Sequence, residues 1–360
     1  MLNPVVAPLQ PPFPDVRRIA VLRGGGLGDL VFALPALAAL RGAYPSARIV
    51  LLGMPAHAAL LAGRPDVPVD AVEVLPALPG VRAGEEDPAA TEEFVDRMRG
   101  ERFDLAVQAH GGGRNANPFL LRLGARHTVG TGTPDALRLE RTLHYDYFQH
   151  EVLRWLEVAG LAGAGPVDLE PRLTATAAER AAARSLLGDG PRVVIHPGAT
   201  DPRRHWPTER FAAVAAELAG RGVRVAVVGD PSEVAVAEAV VEQAGSPFVE
   251  SLAGRLDLSG LTGVLAEADV VLANDSGPRH LAQALGAPTV GIFVFGNTIN
   301  AMPFGRGRHR IRLGRITACP VCGRDATQVG WSAPRCEHDP SYVADVPVAD
   351  VLEDVLDLLA

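Results

Sequence analysis

The chain has 360 residues, 3 of them cysteine, and a formal net charge of −8. That length supports two domain cores better than one. The acidic balance excludes a general nucleic-acid binder, which needs a basic face to neutralise phosphates, and so few cysteines exclude a disulfide framework.

The N-terminal stretch MLNPVVAPLQPPFPDVRR lacks the basic-then-apolar order of a signal peptide, and its prolines predict an irregular lead-in. Two series of short apolar runs follow. In the first, strands are predicted at Arg18–Arg23, Ala47–Gly53, Ala71–Leu75 and Phe103–Ala109, with a weaker one near Thr128. Helices are predicted between them at Asp29–Ala43, Ala56–Leu61 and Thr91–Gly100, and Pro35 is expected to kink or restart the first. The stretch GLAGAGPVDLEPRLTATAAER is rich in Gly, Ala and Pro and has no strong period, which places a linker near 162–175.

The second series predicts strands at Arg192–His196, Val223–Gly229, Phe248–Glu250, Ala268–Ala273, Pro288–Phe293 and Ile311–Leu313. Its helices are Thr208–Gly220, Glu233–Ala244, Leu258–Glu267 and Arg279–Leu285, with an amphipathic terminal helix at Val348–Leu359. Alternating strands and helices mean parallel sheets with right-handed crossovers. The expected architecture is α/β: two doubly wound Rossmann-like domains, 1–165 and 166–345, facing across a cleft. The terminal segment 346–360 is expected to pack back toward the first domain. No run is long and apolar enough to span a bilayer, because Leu27–Leu40 is interrupted by Gly28, Asp29 and Pro35. The cytoplasm is the expected location, with peripheral contact at the inner face of the membrane compatible with it.

Five stretches carry residues suited to chemistry. RGGGLGDL (Arg23–Leu30) follows the first strand, and its glycines allow close backbone approach to a ligand. Their spacing does not fit G-x-G-x-x-G. Asp29 reads either as an N-cap of the next helix or as a carboxylate able to take a proton from a hydroxyl. HPGATDPRRHWPTERF (His196–Phe211) places Arg203 and Arg204 in a loop, either as surface arginines around a Trp anchor or as a clamp on a diphosphate. In VVGDPSE (Val227–Glu233), Glu233 complements a helix dipole or accepts from a ribose. ADVVLANDSGPRHLAQALGAPTVGIF (Ala268–Phe293) is a buried strand, a polar turn, a helix and another strand. Ser276 and Gly277 begin that helix and make an anion site, with His280 in its first turn and Asp275 capping or orienting the loop. Cys319, Cys322, Cys336 and His338 form C-x-x-C followed by C-x-H, four soft ligands of the kind zinc takes. The spacing is not that of a standard finger, so free or structural thiols compete with a metal.

Taken together, GLGDLVFALPAL, AYPSARIVLL, HEVLRWLEVAGL, HPGATDPRRHWP and NDSGPRHLAQALGAPTVGIF resemble glycosyltransferase family 9, which includes ADP-heptose:lipopolysaccharide heptosyltransferases. The likeness runs from Arg18 to the terminal helix. It implies a GT-B fold and an inverting transfer that needs no metal and no cofactor beyond the nucleotide-sugar donor, ADP-linked by analogy. Asp29 matches the family's proposed base, and Arg204 a basic residue, often Lys, beside the diphosphate. Asp275, Ser276, Gly277 and His280 match the sugar and phosphate site, and Glu233 an acidic residue near the ribose. Gly28, Thr200 and Arg203 are grouped with these as donor-contacting positions. The acceptor is expected to be a hydroxyl of a glycan, a glycolipid or a small molecule. Gln108-Ala109-His110-Gly111 stands where those enzymes often have Asp-Ala-Gln-Gly, which leaves donor and acceptor open. Another nucleotide sugar with a secondary-metabolite acceptor, and a non-catalytic sugar-nucleotide-binding protein, are the alternative readings.

Overall fold

A computed structural model describes residues 9–327 and 335–360. Positions 1–8 of the predicted lead-in, and 328–334 between Cys322 and Cys336, lie outside the described residues. The chain divides into two compact units, Met1–Arg172 and Leu173–Ala360.

The first unit carries strands β1 (Arg18–Leu22), β2 (Arg48–Gly53), β3 (Ala71–Val74), β4 (Leu105–Gln108), β5 (His127–Gly132) and β6 (Arg141–His144). They form one parallel sheet in the order β3-β2-β1-β4-β5-β6. The central strands are apolar throughout because helices cover both faces of such a sheet: in β1 every residue after Arg18 is buried. Edge strand β6, RTLH, is half-exposed and has no apolar run to reveal it in the sequence.

The helix after β1, Leu27–Ala43, runs unbroken through Pro35. It does not restart at Pro35. Proline costs one N–H bond and a steric clash in a helix interior, and here ten residues of the helix, Pro35 among them, are buried. That helix packs on Glu151–Leu161, whose Trp155 is fully buried.

The second unit repeats the plan. Strands β7 (Arg192–His196), β8 (Arg224–Val227), β9 (Val249–Ser251), β10 (Val270–Asn274), β11 (Thr289–Phe293) and β12 (His309–Leu313) form a parallel sheet in the order β12-β11-β10-β7-β8-β9. Its core gathers Val193, Ile195, Trp206, Phe211, Leu272 and Ile292.

The terminal helix, Val348–Leu359, has its apolar face satisfied within the second unit. Val351 and Val355 are fully buried in the second core, with Leu352, Leu356 and Leu359 packed against it. Its acidic face is held there as well: Arg312 Nε lies 2.5 Å from Asp354 Oδ2, and Arg310 Nη2 2.7 Å from Asp357 Oδ2. Among the described residues, no helix is long and apolar enough to cross a membrane.

In each sheet the order reverses between two central strands, β1 and β4 in the first unit and β7 and β10 in the second. The loops leaving those strands on either side of the reversal part, and the crevice at their carboxyl ends is where open α/β sheets hold ligands. Both series of candidate residues fall there.

Candidate active site

At the first switch point the chain leaves β1 through Arg23 and three glycines. Gly25 has φ +87°, and a Cβ there would overlap the Asp29 carboxylate. Only glycine satisfies both conditions. The turn delivers Asp29 to the third residue of the helix, whose N-cap is Gly26, so Asp29 is not the N-cap itself. Its Oδ2 accepts a 2.8 Å hydrogen bond from the Gly26 N–H, reaching back as the acidic partner in a capping box does.

The other carboxylate oxygen is held by a residue the sequence reading did not single out. Arg23 is buried, and its Nη2 donates to Asp29 Oδ1 at 2.9 Å. Its Nε donates to Asp29 O and its Nη1 to Ala109 O, each at 2.8 Å. The guanidinium lies 4.7 Å from the centre of the Trp155 ring and 3.7 Å from Glu151 Oε2. One planar cation therefore joins the loops after β1 and β4, a task for the fork of Arg and not the point charge of Lys. The clue was an Arg closing an apolar strand immediately before a glycine run. Asp29 keeps 47% of its side chain exposed, so the carboxylate is oriented yet accessible. Gly28 sits half-buried in the first turn beside it.

Two histidines back this loop. His57 Nε2 lies 3.3 Å from Gly26 O, and His110 Nε2 lies 2.8 Å from Gly80 O. Burial first, and the Arg23 charge, push His57 down to about 4 and lower His110. His57 is therefore neutral at pH 7 and adds no charge beside Asp29.

At the second switch point the loops after β7, β8 and β10 converge. Asn274, at the end of β10, ties the first of them down. Its Nδ2 donates to Pro197 O at 2.6 Å, and its Oδ1 accepts from Trp206 N at 3.1 Å. Trp206 is buried, as an anchor should be. The two arginines of this loop then part ways. Arg203 is buried with its fork closed on Asp201, Nη2 to Oδ2 at 2.6 Å and Nε to Oδ1 at 2.9 Å. Those donors are committed to holding the loop and do not join Arg204 as a clamp. Arg204 Nη1 donates to Asp275 O at 3.0 Å and lies 3.5 Å from Asp275 Oδ2. Its Nε is buried with no hydrogen-bond partner among the described residues, so this guanidinium retains donor capacity. Thr200 is exposed on the same loop.

Asp275 is buried, and its carboxylate is fully engaged. Oδ1 accepts from His280 Nε2 at 2.9 Å and Oδ2 from Asn297 Nδ2 at 2.6 Å. Burial alone would raise its pKa, but the His280 hydrogen bond, the Arg204 charge and the Asn297 amide together hold it at about 2. His280 is pushed down to about 4 by burial and by the Arg279 charge. A neutral ring carries one N–H. It donates from Nε2 to Asp275, while Nδ1 accepts from Arg279 Nη2 at 2.7 Å. Both ring nitrogens are thus committed within the protein. His280 orients Asp275.

The helix Gly277–Ala284 begins beside this cluster, and the N–H groups of its first turn have no intrahelical acceptors. Ser276 precedes it with a hydroxyl bonded to His196 Nδ1 at 3.0 Å. His196, a buried residue not singled out in the sequence reading, uses Nε2 to reach Glu233 Oε2 at 3.1 Å. Burial raises the Glu233 pKa, and the His196 bond more than offsets it, so the net shift is downward. Asp230 N also donates to Glu233 Oε2, at 2.9 Å, and a Cβ at Gly198 would overlap the same carboxylate. Asp275, Ser276, Arg204, His280 and Glu233 are therefore one bonded group. The four metal-type ligands Cys319, Cys322, Cys336 and His338 also come together, all within 4.8 Å.

The family model described as "Glycosyltransferase family 9 (heptosyltransferase)" matches residues 92–322. The chain is 26% identical to lipopolysaccharide heptosyltransferase 1 of Pseudomonas aeruginosa over 323 residues, 85% of this chain and 86% of that protein. Its fold is similar to a solved glycosyltransferase family 9 structure from Veillonella parvula, with TM-score 0.75 and 19% identity over 95% of this chain and 97% of that one. It is also similar to E. coli heptosyltransferase WaaC with ADP, with TM-score 0.66 and 22% identity over 95% of this chain and 99% of that one. At these identities the structural likeness establishes the GT-B fold.

Proposed function

The chain belongs to glycosyltransferase family 9 and is an enzyme of that class, and on that premise we propose that it moves a heptose-type sugar from an ADP-linked donor to a hydroxyl of a lipopolysaccharide-type glycolipid. The first unit holds the acceptor and the second holds the donor. The acceptor oxygen attacks the anomeric carbon on the face opposite the leaving group, so the configuration inverts. Asp29 takes the hydroxyl proton as the new C–O bond forms and the bond from carbon to the diphosphate oxygen breaks. Arg204 and the N-terminus of the helix Gly277–Ala284 meet the charge growing on the departing diphosphate. No step is assigned to a metal. Glu233 accepts from the ribose, and Thr200 lies on the donor loop. Arg203 acts by bracing that loop, and His280 by holding Asp275.

The observation that carries this reading is the asymmetry between the two switch points. One presents a fixed, accessible carboxylate; the other presents a guanidinium with an unpaired donor beside a helix N-terminus. A base and an anion clamp are the two halves that glycosyl transfer requires. ADP and a lipopolysaccharide acceptor follow by analogy with E. coli heptosyltransferase WaaC with ADP and with lipopolysaccharide heptosyltransferase 1 of Pseudomonas aeruginosa.

The test begins with calorimetry of ADP, UDP, GDP, CDP and NAD binding to the full chain without added metal. ADP is expected to bind selectively, and Arg204→Ala to weaken it about 10–100-fold. Asp29→Asn should leave ADP binding intact and lower turnover at least ~100-fold. Selective binding of another nucleoside diphosphate would discard the ADP assignment. Full turnover by Asp29→Asn would reduce Asp29 to a helix-capping residue.

A further inference from the structure

The transfer chemistry leaves one cluster unused. Cys319, Cys322, Cys336 and His338 each place a ligand atom within 4.8 Å of the other three. Cys322 Sγ and Cys336 Sγ are 3.4 Å apart, and Cys336 Sγ lies 3.2 Å from His338 Nδ1. The sulfurs stand well beyond the ~2.05 Å of a disulfide. Zinc bonds of ~2.3 Å to sulfur and ~2.0–2.1 Å to nitrogen, arranged tetrahedrally, separate two sulfurs by about 3.8 Å and a sulfur from a nitrogen by about 3.6 Å. Both observed spacings are about 0.4 Å shorter than those values, so these ligands need only part slightly to take a shared ion.

The backbone is shaped for the same purpose. Ala318 and Asp325 pair as an antiparallel bridge, Cys319 N donates to Arg324 O at 2.7 Å and Gly323 N donates to Cys319 O at 2.8 Å. Gly323, with φ +69°, closes the turn. Cys319 and Cys336 are buried while Cys322 and His338 are exposed, so the cluster sits at the surface with two ligands rooted in the fold.

We propose that these four residues bind one zinc ion as a closed structural site that fastens the segment 314–347 to the loop carrying Arg204. Three thiolates and an imidazole fill a tetrahedron and leave no open position for catalysis. The mixed sulfur and nitrogen set suits zinc, a borderline-soft ion. A tie suits this part of the chain because no helix or named strand falls within 314–327 or 335–347, and a metal clip that closes a long loop is the kind that adds most stability. The residues around the last two ligands grip the donor loop. Arg335 Nη2 lies 2.6 Å from Asp339 Oδ2 and 3.8 Å from Asp201 Oδ1. Tyr342 N donates to Arg203 O at 2.9 Å, and Ser341 Oγ donates to His205 O at 2.6 Å. The ion acts on the clamp through these contacts, without touching a substrate.

The experiment uses the full, untagged chain purified under reducing conditions without chelator. Elemental analysis is expected to find about one zinc per chain, released by about three equivalents of a thiol-specific mercurial. Cobalt added to the stripped chain should give the thiolate charge-transfer and visible bands of a tetrahedral site. Cys336→Ser and His338→Ala should each lose the stoichiometric zinc. Should a variant fail to fold, the cobalt titration of the unaltered chain decides. Stripping should speed hydrogen exchange at 314–327 and 200–206 and weaken ADP binding about tenfold. A chain below about 0.1 metal per molecule that takes up no cobalt overturns the site, as does a Cys322–Cys336 disulfide in the reduced preparation. Stoichiometric iron overturns the choice of ion. The nucleotide arm alone rests on the function proposed above; metal content and exchange judge the site whether or not ADP binds.

Discussion

Replacing Asp275 by Asn removes the buried charge at the centre of the second switch point while keeping the side chain's shape. The new Oδ1 can still accept from His280 Nε2, which sits 2.9 Å from the present oxygen. On the other side an amide donor would face the Asn297 amide at 2.6 Å and the Arg204 guanidinium at 3.5 Å. Asn297 can turn its oxygen inward, but Arg204 and buried Arg279 lose their counter-charge. The carboxyl is held at about 2 in the folded chain against 3.8 for the free group. That difference corresponds to about 2 kcal/mol at ~1.36 kcal/mol per pKa unit. The folded pKa is depressed, so this stability is complete above pH 3.8 and is lost as pH falls toward 2. The variant should be less stable than the parent by about 2 kcal/mol from pH 7 to pH 5, with about half of that difference gone by pH 3. Hydrogen exchange of peptides covering 270–293, followed against urea and pH, reads the second unit directly. A difference below ~0.5 kcal/mol at neutral pH, or one that does not narrow in acid, would refute the claim that this carboxylate is ionised and paired.

Gly25→Ala should cost ~1–2 kcal/mol for the left-handed backbone alone, and the overlap of its Cβ with Asp29 should lower turnover more than ~10-fold while ADP affinity stays unchanged; unaltered steady-state kinetics would contradict the packing around Asp29. Arg23→Lys should also lose turnover ~10-fold or more, because one ammonium cannot serve the three acceptors that the guanidinium holds. Kinetics equal to those of the parent would remove Arg23 from the positioning of Asp29. Deleting 348–360 removes Val351 and Val355, each worth ~1.5–3 kcal/mol when fully buried, and uncovers the second core they pack into. Exchange should accelerate across the second unit and remain unchanged in the first; the reverse pattern would place the helix on the wrong unit.

Much of the fold is legible along the chain because its cause is local. A parallel strand covered on both faces must be a short apolar run, and β1, β2, β7, β10 and β11 are such runs, all but β11 followed by glycine, proline or polar turn chemistry. Edge strand β6 escaped notice because an edge needs no such run. Positions Asp29, Arg204, Asp275 and Glu233 were nameable from motif and strand ends alone. What the sequence could not assign was each side chain's partner, since the partners are far apart in the chain. Arg203 and Arg204 are neighbours with equal charge, yet one closes on Asp201 and the other reaches Asp275, 71 residues away. Arg23 and His196 became visible only when Ala109, 86 residues from Arg23, and Ser276, 80 residues from His196, were brought beside them. The amphipathic pattern of 348–359 likewise fixed a helix with an apolar face, while the surface it covers was decided by tertiary packing. Backbone propensity and burial act over a few residues and can be read in order; hydrogen bonds and ion pairs depend on which loops two crossovers bring to one end of a sheet, and that is settled only when the chain has folded.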